Sequence, residues 1–490
     1  MSEAKGLKDK TVKGLSWSTV DSVISQGISF VVGIVLARLL TPDEFGTIGV
    51  SMIFVALFNK IIDCGFSNAL IRKQDTQSID YNTTFIFNLV LSVLLYLVCF
   101  VAAPYIAVFF HNVVLTSVVR WISLILIINA FAIIQRTRLV KRIDFKTQAK
   151  ISVIASLVSG IVGISMAFCG CGVWSLVGQQ LSRQLCNTVF LWVFNKWTPN
   201  FEFSIASFRG LFSYGGKLML SGIIDTFFNE ITVIYVGKIY TPATLGQYSR
   251  AKQFSSLFSS NLSAVMERVT YPVLSEIQDD KNRLIEDYRR IIRSLMLVSG
   301  IGTAIIASCS RSIILILIGP KWTEAILYLQ LLAFVEITIP LKNVNLNLLQ
   351  VYGRSDYILT LSIIKRIIEV AVICLGFISL PWMLMGLAIA GVIGLLLNAF
   401  FTEKVSGYSV GSQMKDLLPS FTISLFIGVV MYAISFLVAN VYWCLVLQLV
   451  IGSLLFIIMS ECIKLDEYCF VKSLIKDYVL IPIKGRFNHE

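Results

Sequence analysis

Apolar runs of about 20 residues, the length a helix needs to cross a bilayer, follow one another along almost the whole chain. That constraint comes before any motif. In lipid, each backbone polar group must find its partner within the protein, and a helix does this inside a single segment. The other closed solution, an outer-membrane barrel, requires short alternating strands, a pattern this chain does not show. Composition agrees: of 490 residues, 56% are hydrophobic and 14% charged, where a soluble domain carries roughly a quarter charged residues. The mean hydropathy is +0.79. The reading is an all-α polytopic membrane protein.

The helices are expected at roughly 15–40, 46–71, 81–110, 113–136, 146–169 and 173–195, then at 210–238, 243–275, 290–319, 323–351, 356–379 and 383–402. A last pair is expected at roughly 416–438 and 441–463, making about fourteen spans of the length a membrane requires. The formal charge of +12 does not point to nucleic acid. Its lysines and arginines gather in alternate loops, as in Arg136, Arg138, Lys141 and Arg142 or Arg289, Arg290 and Arg293. Cytoplasmic loops of membrane proteins carry that excess, so both termini are expected in the cytoplasm. The N-terminal stretch lacks the short apolar core and cleavage site of a secretory signal. Both it and the basic tail over 466–490 suit either a surface-lying amphipathic segment or a plain polar flank.

One stretch occurs twice. Val31 to Val50 reads VVGIVLARLLTPDEFGTIGV, and Ile231 to Arg250 reads ITVIYVGKIYTPATLGQYSR. Aligned without a gap, they share Thr41-Pro42 with Thr241-Pro242 and Gly46 with Gly246. The proline disfavours helical geometry in the residue before it, so each copy ends one helix and begins another. A second pair, Arg142-Ile143-Asp144-Phe145 and Arg354-Ser355-Asp356-Tyr357, opens the fifth and eleventh helices. The chain therefore reads as two pseudo-equivalent six-helix bundles, 1–199 and 200–403, followed by a helix pair and tail over 404–490. Copies of six helices share one orientation, with an axis along the membrane normal and a cavity between them.

Bond chemistry is disfavoured. Gly215-Gly216-Lys217 lacks the spacing of a phosphate loop. There are two histidines, His111 and His489, and no long loop with paired carboxylates. The ten cysteines lie mostly inside apolar runs, where they behave as small apolar residues. No catalytic residue, metal site or cofactor is expected. What remains is charge at membrane depth, which is costly and faces a cavity or a partner. The substrate-cavity candidates are Arg183, Lys60, Arg268, Lys342, Lys365 and Arg366. Lys365 with Glu369, and Lys60 with Asp63, are spaced either to pair internally or to meet a substrate. Candidates for binding a coupling ion are Asp225, Asn229, Glu230 and Glu336. Asp225 and Asn229 share a helix face, while Glu230 lies about 140° from Asp225. Asn343, Asn345 and Asn347 follow Pro340, where a kink is expected. They suit either sugar hydroxyls or helix-to-helix bonding.

The chain also carries motifs that resemble those of a known family. LARLLTPDEFG (36–46), IDCGFSNALIRKQD (62–75), QRTRLVKRIDFKTQAKI (135–151), GVWSLVGQQL (172–181), FSYGGKLMLSGIIDTFFN (212–229), VGKIYTPATLGQYSRAKQ (236–253), RVTYPVLSEIQ (268–278) and IGPKWTEA (318–325) are similar to those of polysaccharide flippases. These belong to the MOP exporter superfamily, in its PST or Wzx-type branch, with the colanic-acid lipopolysaccharide biosynthesis type most similar. The resemblance implies two lobes in a V around a cationic cavity. It implies movement of a polyprenyl-pyrophosphate-linked oligosaccharide, a precursor of O-antigen, capsule or exopolysaccharide, between leaflets of the inner membrane. Expected partners are that lipid-linked oligosaccharide, membrane lipids, a polysaccharide polymerase and a chain-length regulator. The alternatives are a multidrug antiporter of the same superfamily and a non-transporting scaffold of the assembly machinery.

Overall fold

The structure, a computed structural model, describes residues 2–463, 467 and 468, with side chains for all of these except 2–16, 18–20 and 268. The tail beyond 468 and the side chains of the N-terminal lysines lie outside the described residues. Among the described residues there are helices and no strand. In order they are α1 (Ser2–Leu39), α2 (Pro42–Asp63), α3 (Phe66–Arg72), α4 (Ser78–Phe109), α5 (Val114–Ile122) and α6 (Leu124–Lys141). Then come α7 (Phe145–Phe168), α8 (Val173–Asn195), α9 (Ile205–Ile239), α10 (Pro242–Glu276), α11 (Lys281–Ser308) and α12 (Ser310–Leu317). The last six are α13 (Glu324–Glu336), α14 (Thr338–Val351), α15 (Ser355–Ile373), α16 (Leu380–Ser406), α17 (Val410–Leu437) and α18 (Val441–Cys462).

Several of these are halves of one broken span. Cys64 and Gly65 adopt left-handed geometry with φ of 50° and 68°, which separates α2 from α3. Pro340 has no N–H to give the carbonyl of Glu336, so the expected kink appears as the break between α13 and α14. Counting such pairs as one, 11 helical stretches are long and apolar enough to cross a membrane. Three other long helices, α8, α10 and α15, are not among them. They carry Gln179, Gln180, Arg183 and Gln184 on α8, Lys252 and Glu267 on α10, and Lys365, Arg366 and Glu369 on α15.

The chain folds into two compact units, 1–249 and 250–490. In the first unit, α7 packs against α1 and α8, α6 against α4 and α8, and α9 against α2, α3 and α4. The boundary between Ser249 and Arg250 falls in the first turns of α10, so α9 is in the first unit. An aromatic cluster holds the base of α9 there. Leu211, with Phe208 and Met219, is buried against Phe66, Phe85 and Trp197. The connection before α9 is also pinned to the first unit. Asn200 N donates to Asn82 Oδ1 at 3.2 Å and Ser204 N to Thr83 Oγ1 at 3.0 Å. Gln135 Nε2 donates to the Trp197 carbonyl at 2.9 Å. Ser207 Oγ donates to buried Asp80 at 2.5 Å, and Lys73 pairs with the same carboxylate at 2.7 Å.

In the second unit, α11 packs against α13 and α17, α16 against α13, α14 and α15, and α17 against α18. Leu284, Tyr288, Ile292 and Leu295 recur at helical spacing on α11 and enter the core. Arg289 and Arg293 reach from the same helix to Asp416 on α17, the former at 2.8 Å. Tyr408 also donates to Asp416. Its burial pushes the phenol well above its usual range.

The duplicated stretch is visible in the helix ends. α1 stops at Leu39 and α2 starts at Pro42; α9 stops at Ile239 and α10 starts at Pro242. Thr41 caps α2 through a reciprocal bond with Glu44, and Thr241 Oγ1 accepts from Thr244 N at 3.2 Å. A proline at the first helical position costs no hydrogen bond. The two turns also touch each other inside the first unit. A Cβ on Gly46 would strike the carbonyl of Pro242, and a Cβ on Gly246 would strike that of Pro42. Gly46→Val and Gly246→Val should each destabilise the protein by about 1–3 kcal/mol through overpacking. The double variant should lose less than the sum, because one shared contact opens in either case. Thermal unfolding in detergent measures this, and full additivity would show that the turns are independent.

Candidate functional site

The sequence-predicted residues are divided between the two units. In the first unit, Arg183 is exposed on α8, with the Asp21 carboxylate of α1 within electrostatic reach. Asp21 itself accepts from Ser25 Oγ at 2.9 Å. Gln180, Arg183, Gln184 and Asn187 recur at three and four residues, so α8 carries one polar stripe. Lys60 is exposed near the end of α2, its stem passing Gly222 of α9. Asp63, one turn on, accepts from Ser67 Oγ, which in turn accepts from Thr137 Oγ1 at 3.1 Å. Lys60 and Arg136 both act electrostatically on Asp63. The spacing of Lys60 and Asp63 thus leads to a shared field rather than an isolated pair.

A second feature of this unit was not legible in the spacing. Gln184 Nε2 donates to Asn129 Oδ1 at 2.9 Å, and Asn129 Nδ2 donates to Asn59 Oδ1 at 2.8 Å. The three amides tie α8 to α6 and α2, and all are half-buried. The three are 55 and 70 residues apart, so no local pattern signalled that they meet. Arg136 was also missed as a site neighbour, because its place in a basic run marked it as a loop cation.

Asp225 and Asn229 are exposed on α9. Glu230 turns elsewhere, as its angular offset predicts. It lines an apolar recess of about 490 Å³ with Phe54, Tyr105, Phe109 and Phe227. The structure therefore does not bring Glu230 together with Asp225 and Asn229.

In the second unit the cations converge on α16. Asn398 of α16 donates to the carbonyl of Lys342 at 3.0 Å and accepts from Lys365 Nζ at 3.3 Å. Gly394, one turn earlier, makes room for both stems. A Cβ there would lie 3.4 Å from Cδ of Lys365 and 3.6 Å from Cδ of Lys342. Glu369 pairs with Arg366 at 2.9 Å, three residues away, rather than with Lys365. That choice leaves the Lys365 ammonium to Asn398. Glu336 lies at the break before α14 and accepts from Ser259 Oγ of α10. Its charge and that of Glu369 act on Lys342. The side chain of Arg268 lies outside the described residues.

The asparagines after Pro340 separate. Asn343 donates to Glu267 at 3.0 Å. Asn345 is buried and accepts from Tyr288, and Asn347 is buried with its Nδ2 unpartnered. The last two bond or pack within the core, so a sugar role for the trio does not hold. The motif Arg-x-Asp-aromatic also differs between its copies. Asp144 caps α7, accepting from Thr147 N at 3.1 Å, whereas Arg354 pairs with Asp356 at 2.7 Å and covers the Tyr357 ring. The bond to Asp356 raises the Arg354 guanidinium above its ordinary range.

Polar, cation-bearing helices among apolar spans define a multi-pass helical membrane protein. The fold is that of MOP-superfamily transporters. The inward closed structure of the lipid II flippase MurJ superposes with a TM-score of 0.72 at 15% identity, covering 94% of this chain and 99% of that one. Residues 35–327 match the family described as polysaccharide biosynthesis protein, and the chain belongs to that family. The teichuronic acid biosynthesis protein TuaB of Bacillus subtilis is 23% identical over 86% of this chain and 89% of its own. The lipopolysaccharide biosynthesis protein WzxC of Escherichia coli is 23% identical over 88% of each.

Asn398→Leu would leave the Lys342 carbonyl and the Lys365 ammonium without these partners. It should lower stability by about 1–2 kcal/mol. An unchanged unfolding midpoint in detergent would show that both groups find other partners.

Proposed function

We propose that this protein is a flippase. It carries a polyprenyl-pyrophosphate-linked oligosaccharide from the inner to the outer leaflet of the cytoplasmic membrane, with both termini in the cytoplasm. The observation that carries the reading is the position of the cations. Arg183, Lys365 and Arg366 sit on α8 and α15, which with α10 are the long helices too polar for a purely lipid-facing span. A helix of that kind is stable across a bilayer when its polar face meets a partner or a water-filled path. With α8, α10 and α15 also crossing, the spans number fourteen, arranged as the repeats 1–199 and 200–403 and a pair over 404–490.

The chemistry fits a pyrophosphate. Its negative charge calls for cations, and a guanidinium binds phosphate oxygens in a two-pronged geometry that a lysine does not match. The isoprenoid tail remains in lipid, so only the head group needs the polar path. Arg183, Lys60, Arg268, Lys342, Lys365 and Arg366 are the residues assigned to it. Movement by alternating access needs no bond chemistry, and the protein acts as a transporter rather than an enzyme. The family and the names of TuaB and WzxC support a polysaccharide precursor as cargo. A polymerase and a chain-length regulator are the partners that would consume it.

The reading is tested in proteoliposomes holding a lipid-pyrophosphate oligosaccharide. Wild type should move the head group across the bilayer, and Arg183→Ala should slow it at least tenfold while remaining folded. No movement by wild type, even under an imposed ion gradient, would leave the antiporter and scaffold readings in its place. Asp225, Asn229, Glu230 and Glu336 are assigned to ion coupling. Asp225→Asn and Glu336→Gln should abolish acceleration by an imposed proton or sodium gradient and spare the slow equilibration without one. Acceleration that survives both changes would remove these carboxylates from coupling.

A further inference from the structure

The amide chain Gln184–Asn129–Asn59 has more hydrogen-bonding capacity than its two internal bonds consume. A side-chain amide offers two N–H donors and one acceptor oxygen with two lone pairs. Gln184 uses one donor and Asn59 one lone pair; Asn129 uses one of each. The bonds run in one direction, so the chain ends in the acceptor Oε1 of Gln184 and the donor Nδ2 of Asn59. All three residues are half-buried rather than sealed in the core. This sets them apart from Asn88, Gln135 and Asn195, whose unpartnered polar atoms lie fully inside the protein.

The neighbours of the chain are charged. Arg183 precedes Gln184 on the polar stripe of α8, and Lys60 follows Asn59 on α2. Both are exposed. The result is a row of neutral donors and acceptors on three helices, each end residue having a cation beside it in sequence, about 100° round its helix.

We propose that Asn59, Asn129 and Gln184 form the subsite that recognises the first sugar of the lipid-linked cargo. The proposal rests on the flippase reading and adds the chemical class of what is recognised, the vicinal hydroxyls of an uncharged sugar ring. Each hydroxyl both donates and accepts, and a row of amides presents both functions side by side. Because the amides bond to one another, their orientations are held before the sugar arrives, which lowers the cost of binding. The flanking cations would hold the pyrophosphate to which that sugar is joined.

The test is equilibrium binding to the full-length protein in detergent, using two probes. One is undecaprenyl pyrophosphate bearing an uncharged disaccharide, and the other is bare undecaprenyl pyrophosphate. Wild type should bind the glycosylated probe about five- to tenfold more tightly, the scale expected of one or two neutral hydrogen bonds. Asn129→Leu and Gln184→Leu should erase that difference and change affinity for the bare probe by less than about twofold. Arg183→Ala should weaken both probes together. Gln184→Met has nearly the same length, carries no charge and loses the donor to Asn129; it should also lose the preference, so the test survives a misfolded leucine variant. Equal affinity of wild type for the two probes would overturn the sugar subsite and leave the flippase reading intact. So would variants that weaken both probes equally, since that is the signature of helix glue. Failure of wild type to bind either probe would overturn the flippase reading, and the subsite with it.

Discussion

A polar group inside a bilayer has no water to turn to, and most of the architecture follows from that one constraint. It makes the chain helical, and it decides where a helix can break. The gaps at Gly65 and before Pro340 interrupt helices whose ends pack within the protein. The carbonyl freed by Pro340 belongs to Glu336, the same residue whose carboxylate is met by Ser259. The constraint also explains the side-chain pairing across helices. Asn398 serves a backbone carbonyl and an ammonium together, and Asp416 gathers two guanidinium groups and a phenol. Each of these joins elements distant in sequence, so satisfaction of polar groups and fixation of the fold are the same event.

The duplicated turns work by another principle, shape. Thr41-Pro42 and Thr241-Pro242 are alike because each must stop one helix and start the next in a few residues. Their glycines serve more than the local turn. Gly46 and Gly246 are where the backbones of the two copies come against each other, each glycine facing the other copy's proline carbonyl. A reciprocal contact of this kind follows naturally from a duplicated element meeting its own copy about a two-fold relation.

Much of this was legible in the sequence. The apolar runs located the helices and Pro340 announced a break, while the Thr-Pro pairs marked where one helix gives way to the next; the starts expected at 46 and 243 lie at Pro42 and Pro242, because proline itself takes the first helical position. The angular separation of Glu230 from Asp225 followed from helical geometry alone. Partner choice was harder to read. Lys365 and Glu369 are spaced to pair, yet Glu369 takes Arg366 and Lys365 takes Asn398, because α16 supplies an amide that no local spacing reveals. The amide chain through Asn129 was hidden for the same reason, its members being separated by 55 and 70 residues. Asn345 and Asn347 suit sugar hydroxyls or helix-to-helix bonding equally by sequence; their burial, with Tyr288 of α11 donating to Asn345, supports the second. Aromatic packing around Phe66 ties the base of α9 to the first unit, a contact between residues far apart in sequence that the repeat pattern does not reveal.

The pinned connection before α9 gives that helix the mechanics of a beam held at both ends. Asp80, Asn82 and Thr83 clamp its approach, and Leu211 is sunk in the aromatic cluster. At the other end Lys238 Nζ donates to the Phe109 carbonyl at 2.7 Å, and the second Thr-Pro turn sits against Gly46. Gly210, Gly215, Gly216 and Gly222 lie in the first half, where glycine lowers the cost of bending. With both ends fixed, a bend bows the middle of the helix, where Asp225 and Asn229 are exposed.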